Sequence, residues 1–196
     1  MKILAIADEP SKALWDFYDP ARLEGVDLIL SAGDLPANYL SFLVTMAHCP
    51  VLYVRGNHDT KYDRKPPEGC ECIEDKLYVY EGIRILGLGG SMRYRPGDCQ
   101  YTEKEMKKRV NRLKLSLWMK GGCDILLTHS PVKDINDGED ICHQGFQVFE
   151  TVIEKYNPKF MVHGHVHMSY GRNIPRETRY NETTIINAYE KYYFDY

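Results

Sequence analysis

Five loops in this chain hold side chains suited to a hard or borderline metal ion. Each follows a short apolar run: Asp8 after residues 2–7, Asp34 after 26–30, Asn57 after 51–54, His129 after 124–128, and His165 with His167 after 160–162. Any one of them is explained by a cap or a turn, where Asp and Asn are common. Recurrence at five separate loops calls for a shared cause, and a metal centre supplies it. Carboxylate, amide oxygen and imidazole without thiolate suit manganese, iron or zinc in a catalytic centre rather than a cysteine-bound structural zinc. An aspartate has two oxygens and can bridge two ions. Two divalent ions about 3.5–4 Å apart clamp an in-line displacement at phosphorus and supply a hydroxide at neutral pH. Phosphoester hydrolysis is therefore the leading chemistry.

For these loops to converge, the elements behind them must share a direction. The chain opens as strand (2–7), loop, short helix (13–17), strand (26–30), helix (38–47) and strand (51–54), which predicts a sheet with parallel neighbours and helices packed on it. In such a sheet the carboxyl ends of the strands lie on one edge, where ligands bind. Residues 61–69 read as a surface loop, and 77–80 and 83–88 as a hairpin turning at Glu81-Gly82. The glycine-rich 87–91 reads as a mobile loop presenting Arg93, Tyr94 and Arg95. Thr102 and Glu105 match a capping box for a helix running to about Met119 through Met106, Val110, Leu113 and Leu117. A further strand (124–128), a loop (133–144), a helix (147–156) and strands at 160–162 and 183–188 complete the α/β pattern. In an extended run His163, His165 and His167 share one side, and Gly164 frees the backbone to aim the rings separately.

The motifs Gly33-Asp34, Gly56-Asn57-His58-Asp59, Thr128-His129-Ser130-Pro131 and Gly164-His165-Val166-His167 stand in this order, and together they resemble the calcineurin-like metallophosphoesterases. The resemblance spans nearly the whole chain. It implies two packed β-sheets flanked by helices, with a two-metal centre at one end of the sandwich. It further implies that Asp34 bridges the metals, that Asn57, His129 and His165 complete one site, and that Asp8 and His167 belong to the other. A metal-bound hydroxide would attack phosphorus, His58 would stay off the metals and protonate the leaving oxygen, and Asp59 would orient His58. Arg93 and Arg95 are the candidates for holding the phosphate. One departure stands out: where the family has Asp, any residue, His, this chain has Asp8-Glu9-Pro10. Proline has no side-chain donor, so water fills the place, Glu9 swings in, or the ion is held weakly. An occupied but weakened first site is the expectation. The same departure motivates the alternative of a catalytically weakened protein that uses the fold as a binding module.

Composition sets the frame. At 196 residues, 43% apolar and 27% charged, the sequence suits one folded domain over 1–196 with no added cap domain. Without an inserted domain, specificity falls to the loops at 61–72, 91–101 and 133–144. The net charge of -3 argues against nucleic acid or an anionic membrane as a general partner, leaving a small phosphoester as the expected one. Lys104, Lys107, Lys108, Arg109, Arg112 and Lys114 crowd one helix, read as a solvated face. No signal-peptide core or membrane span is visible, so the expected address is cytoplasmic and the six cysteines are expected to be free thiols. The aromatic tail from Tyr189 to Tyr196 is read as packing on the body, with a homodimer contact as the other use of it.

Overall fold

The computed structural model describes residues 1–170 and 174–196. The first half of the chain lays down β1 (Lys2–Ile6), β2 (Leu28–Ser31), α1 (Ala37–Ala47), β3 (Val51–Tyr53) and β4 (Glu71–Cys72). Then come β5 (Lys76–Tyr80), β6 (Ile83–Leu88), the short β7 (Ser91–Met92) and β8 (Gln100–Tyr101), and α2 (Glu103–Lys120). The chain closes with β9 (Ile125–Thr128), α3 (Gln147–Tyr156), β10 (Phe160–His163), β11 (Glu177–Tyr180), β12 (Thr183–Asn187) and β13 (Tyr192–Asp195). One sheet has the order β13-β1-β2-β3-β4 and the other β11-β12-β10-β9-β6-β5. Within them β1, β2 and β3 run parallel, as do β6, β9, β10 and β12.

Alternation along the strands builds the layers. In β1, Ile3 and Ala5, with Leu28 and Leu30 of the neighbouring β2, face the second sheet and meet Ile125, Leu127 and Val162, while Leu4 and Ile6 face α1 and its Tyr39, Leu40 and Leu43. Leu126 and Met161 of the second sheet point the other way, to Met106, Val110, Leu117, Val152 and Ile153 of α2 and α3. Strands covered on both faces are apolar throughout, as in buried parallel sheets. The result is two packed β-sheets flanked by helices, the fold class that the sequence implied.

Local signals were read well where they were mutually consistent. The Thr102 hydroxyl accepts from the Glu105 N–H, the Glu105 carboxylate returns to Thr102 N (2.8 Å), and α2 ends at Gly121 in the left-handed region. The hairpin turns at Glu81 and Gly82, both at positive φ.

Other expectations are corrected. The helix expected at 13–17 is only a hydrogen-bonded turn, in which the Leu14 and Trp15 N–H groups donate to Ser11 O, because the segment between Pro10 and Pro20 is too short to propagate. Residues 61–69 begin with a 3-10 turn, Asp59–Asp63. The glycine-rich stretch is not a free loop: Gly89 and Gly90 are buried, and the Gly90 N–H donates to Arg55 O (2.7 Å). Arg109 leaves the solvated face altogether. It is 5% exposed and donates to Glu74, Asp75 and Gly89 O. As expected, the tail packs on the body, folding back as β13 antiparallel to β1 with Phe194 buried against the core. The six cysteines are free, also as expected.

Candidate metal centre

Parallel pairing puts the carboxyl ends of β1, β2, β3, β9 and β10 on one edge, and the five loops meet there. Three of the residues that turn into the centre sit in the left-handed region without being glycine: Asp8 at φ 66°, Asp34 at 58° and His165 at 69°. Each costs on the order of 1–2 kcal/mol. The departure from strand geometry is what aims these side chains, so the alternation expected for His163, His165 and His167 stops at His165. Gly164 serves a different purpose from the freedom read in the sequence. A Cβ there would lie 2.8 Å from Asp8 Oδ2, so the missing side chain lets the two loops touch. Gly56 does the same for Asp34, whose Oδ1 would be 2.0 Å from an added Cβ.

Main-chain groups of one loop hold side chains of the next. The His165 N–H donates to both Asp8 oxygens (2.9 and 3.0 Å). Asp34 Oδ1 accepts from the His58 N–H (2.7 Å), and Asp59 Oδ2 accepts from the N–H groups of Asp34 and Gly56 (2.7 and 2.8 Å). The buried Asp59 carboxylate thus ties the β2 and β3 loops together. His129, with no exposure, donates from Nδ1 to Ala32 O (2.8 Å), and His165 donates from Nε2 to Cys142 O (2.6 Å).

Those two backbone carbonyls fix the tautomers, leaving the lone pair on His129 Nε2 and on His165 Nδ1. His129 Nε2 then faces Asn57 Oδ1 at 3.0 Å and Asp34 Oδ2 at 3.3 Å. One ligand atom each from Asp34, His129 and His165 lies within 4.8 Å of the others. Either a proton on His129 or a cation can sit among these electron-rich atoms, and an oxygen and imidazole set fits a borderline divalent ion.

Electrostatics report the same demand. Burial alone would lower the His129 pKa, but the charge and hydrogen bond of Asp34 raise it to about 9. Burial would raise Asp34, yet His129 and the His58 N–H hold it down at about 2. Asp8 is pushed up to about 7 by burial, with Asp34 adding to the rise. Asp59 also rises to about 7, from burial and the Asp34 charge. His165 falls to about 3 through burial and the His129 charge, and the fully buried His163 falls to about 4 through burial.

A family model described as calcineurin-like phosphoesterase matches residues 1–169. The chain belongs to this family. An uncharacterized protein of Haemophilus influenzae is 28% identical over 177 residues, covering 75% of each chain. The crystal structure of TT1561 of Thermus thermophilus overlays with a TM-score of 0.67 at 20% identity, covering 96% of this chain and 89% of that one. Another solved structure gives the same TM-score at 15% identity, covering 99% and 94%. These overlays support the fold. Membership of the calcineurin-like phosphoesterases makes metal-dependent phosphoester hydrolysis the general activity, and Asp34, His129 and His165 a candidate set of ligands.

The remaining site residues fall around this set. Asn57 is buried, and its Nδ2 donates to the Tyr94 hydroxyl (3.5 Å). The exposed His58 is the N-cap of the 3-10 turn, held through its main-chain N–H. His167 is half-buried with its ring 4.9 Å from that of Tyr189, centroid to centroid. The Tyr189 hydroxyl donates to Glu9, whose charge acts on His167. Arg93 is engaged by Glu105 (3.0 Å) and Gln100 O, while the Arg95 guanidinium carbon is 5.3 Å from the Tyr94 ring centroid. Sequence reading gave no role to Tyr94, Tyr189 or His143, whose ring is 5.3 Å from His165. Only Tyr94 had a signal, its place between two arginines already singled out.

Among the described residues, no helix is long and apolar enough to cross a membrane.

Proposed function

We propose that this protein hydrolyses a phosphoester at a centre of two divalent ions, one held by Asp34, Asn57, His129 and His165 and the other by Asp34, Asp8 and His167. The observation that carries the reading is the convergence of His129 Nε2, Asp34 Oδ2 and Asn57 Oδ1, with both imidazoles oriented by backbone carbonyls. Divalent ions supply Lewis acidity there, neutralising phosphoryl oxygens and making water nucleophilic at neutral pH.

The protein's own groups do the rest. His58, anchored beside Asp34 by its N–H, leaves its imidazole free of the carboxylate set and donates a proton to the departing oxygen. Asp59 positions His58 indirectly, by fixing the loop that carries it. Arg95 is the arginine we give to the phosphate, because it lies on the tyrosine that reaches Asn57, whereas Arg93 is engaged by Glu105. Manganese-loaded protein should hydrolyse 4-nitrophenyl phosphate or bis(4-nitrophenyl) phosphate and lose that activity on chelation. Absence of hydrolysis of both, with ions bound, would leave the fold as an ion-holding binding module instead.

A further inference from the structure

A cavity of about 620 Å³ opens from the metal centre, within the range of small-molecule sites. Asp34, His58, Pro10, Tyr62, Lys61 and Lys65 all line it. The two lysines are one turn apart on the segment after His58, so both ammonium groups reach the same space. Acidic residues of that segment do not neutralise them. The Asp59 carboxylate is bound to the N–H groups of Asp34 and Gly56, and Asp63 pairs with Arg55 (2.7 Å). Among the described residues, neither lysine is in an ion pair. The walls beside them are apolar at Leu35, Pro36 and Ala37. Two cations are thus left facing an open cavity that is also lined by the proton donor assigned to the leaving oxygen.

We propose that this cavity receives the leaving group and that Lys61 and Lys65 bind a second anionic group on it, so that the preferred substrate is a phosphoester whose alcohol carries a further phosphate. This rests on the phosphoesterase reading, because that reading assigns the leaving group to the His58 side. The carbon frame of the alcohol packs on Pro36 and the Tyr62 wall, and the second phosphate takes the place of the partner the lysines lack.

Glucose 1-phosphate and glucose 1,6-bisphosphate form a matched pair of probes for the manganese-loaded protein. The bisphosphate should show a KM about tenfold lower, a figure set by two exposed ion pairs. The preference should shrink with added salt. In the double variant Lys61→Gln, Lys65→Gln it should collapse to within about twofold, while Lys114→Gln, on α2, keeps it. Equal KM values for the two probes, or a preference that survives the double variant, would overturn the proposal while the phosphoesterase reading stands. If neither probe turns over, calorimetric binding of the same pair decides it. Tighter binding of the bisphosphate that disappears in the double variant supports the subsite, and equal affinities remove it.

Discussion

Ion binding at this centre should be coupled to proton release, and the coupling can be worked from the structure. In the ion-free protein the His129 imidazole is held up to about 9 by Asp34, against the opposing effect of burial. Its proton occupies the place between Asp34 Oδ2 and Asn57 Oδ1 where the ion must go. At pH 7 a divalent ion therefore competes with a proton bound well above the ambient pH, a cost on the order of 100-fold in affinity. Affinity for the first ion should rise about tenfold per pH unit and level off above pH 9. An ion at Asp8, raised to about 7, should gain in the same way only up to pH 7. Calorimetric titration with Mn²⁺ in buffers of different ionisation enthalpy counts the protons directly. About one should leave with the first ion at pH 7. Asp34→Asn removes the charge that raises His129, so it should weaken the ion and abolish the proton release together. Affinity that is flat between pH 6 and 9, or first-ion binding without proton release at pH 7, would refute the reasoning.

Three other perturbations separate chemistry from support. His58→Ala should lower kcat by about 10²–10⁴-fold and leave ion affinity unchanged, since only the main-chain N–H of His58 touches Asp34; steady-state kinetics with ion titration tests both halves. Gly56→Ala drives a Cβ to 2.0 Å from Asp34 Oδ1, so it should cost about 1–3 kcal/mol in urea unfolding and reduce ion retention. Arg109→Met removes one of the two arginines that neutralise the buried Glu74, together with the partner of Asp75, and should cost about 3 kcal/mol. The exposed Arg112→Met should stay within about 0.5 kcal/mol on the same denaturation curve.

The contrast between Arg109 and Arg112 shows where sequence reading stops. Both belong to a run of cations at helical spacing, and only the place of Arg109 beside the apolar stripe, three residues after Met106 and four before Leu113, distinguishes it locally. Burial of Arg109 comes from Asp75 and Glu74, 34 and 35 positions away, which supply the counter-charges that make burial tolerable. By contrast, the central strands and the three α-helices were legible, because apolar period, capping box, glycine stop and proline stop agreed with one another, while the division into two sheets came from the family resemblance. The short β4 and β11 were not, since a strand of two to four residues is set by its neighbour's edge and not by its own composition. Within the site, residue types marked Asp34, His129 and His165, which the fold gathers into a candidate ligand group, but the tautomers depend on carbonyls of Ala32 and Cys142, which have no side-chain signature at all.

The centre is preorganised unequally. His129 and His165 are oriented by main-chain carbonyls of other loops, Asp34 is gripped by the His58 N–H, and Asp59 binds the two loops beneath them, so this half requires little rearrangement to accept an ion. On the other side Pro10 offers no donor, and Glu9 is drawn to the Tyr189 hydroxyl, while the Tyr189 ring lies on His167. Asp8 is fixed by the His165 N–H, but its raised pKa shows a carboxylate that still lacks its counter-charge. Under the proposed function, a second ion there would supply that charge with fewer protein donors, and its affinity would depend on Asp8 and His167 together. Pro10 also forms part of the cavity wall that leads to Lys61 and Lys65. Under the proposed function, the residue that denies this half of the centre an imidazole would also shape the entrance for the leaving group, which would link the strength of the second ion to the choice of substrate.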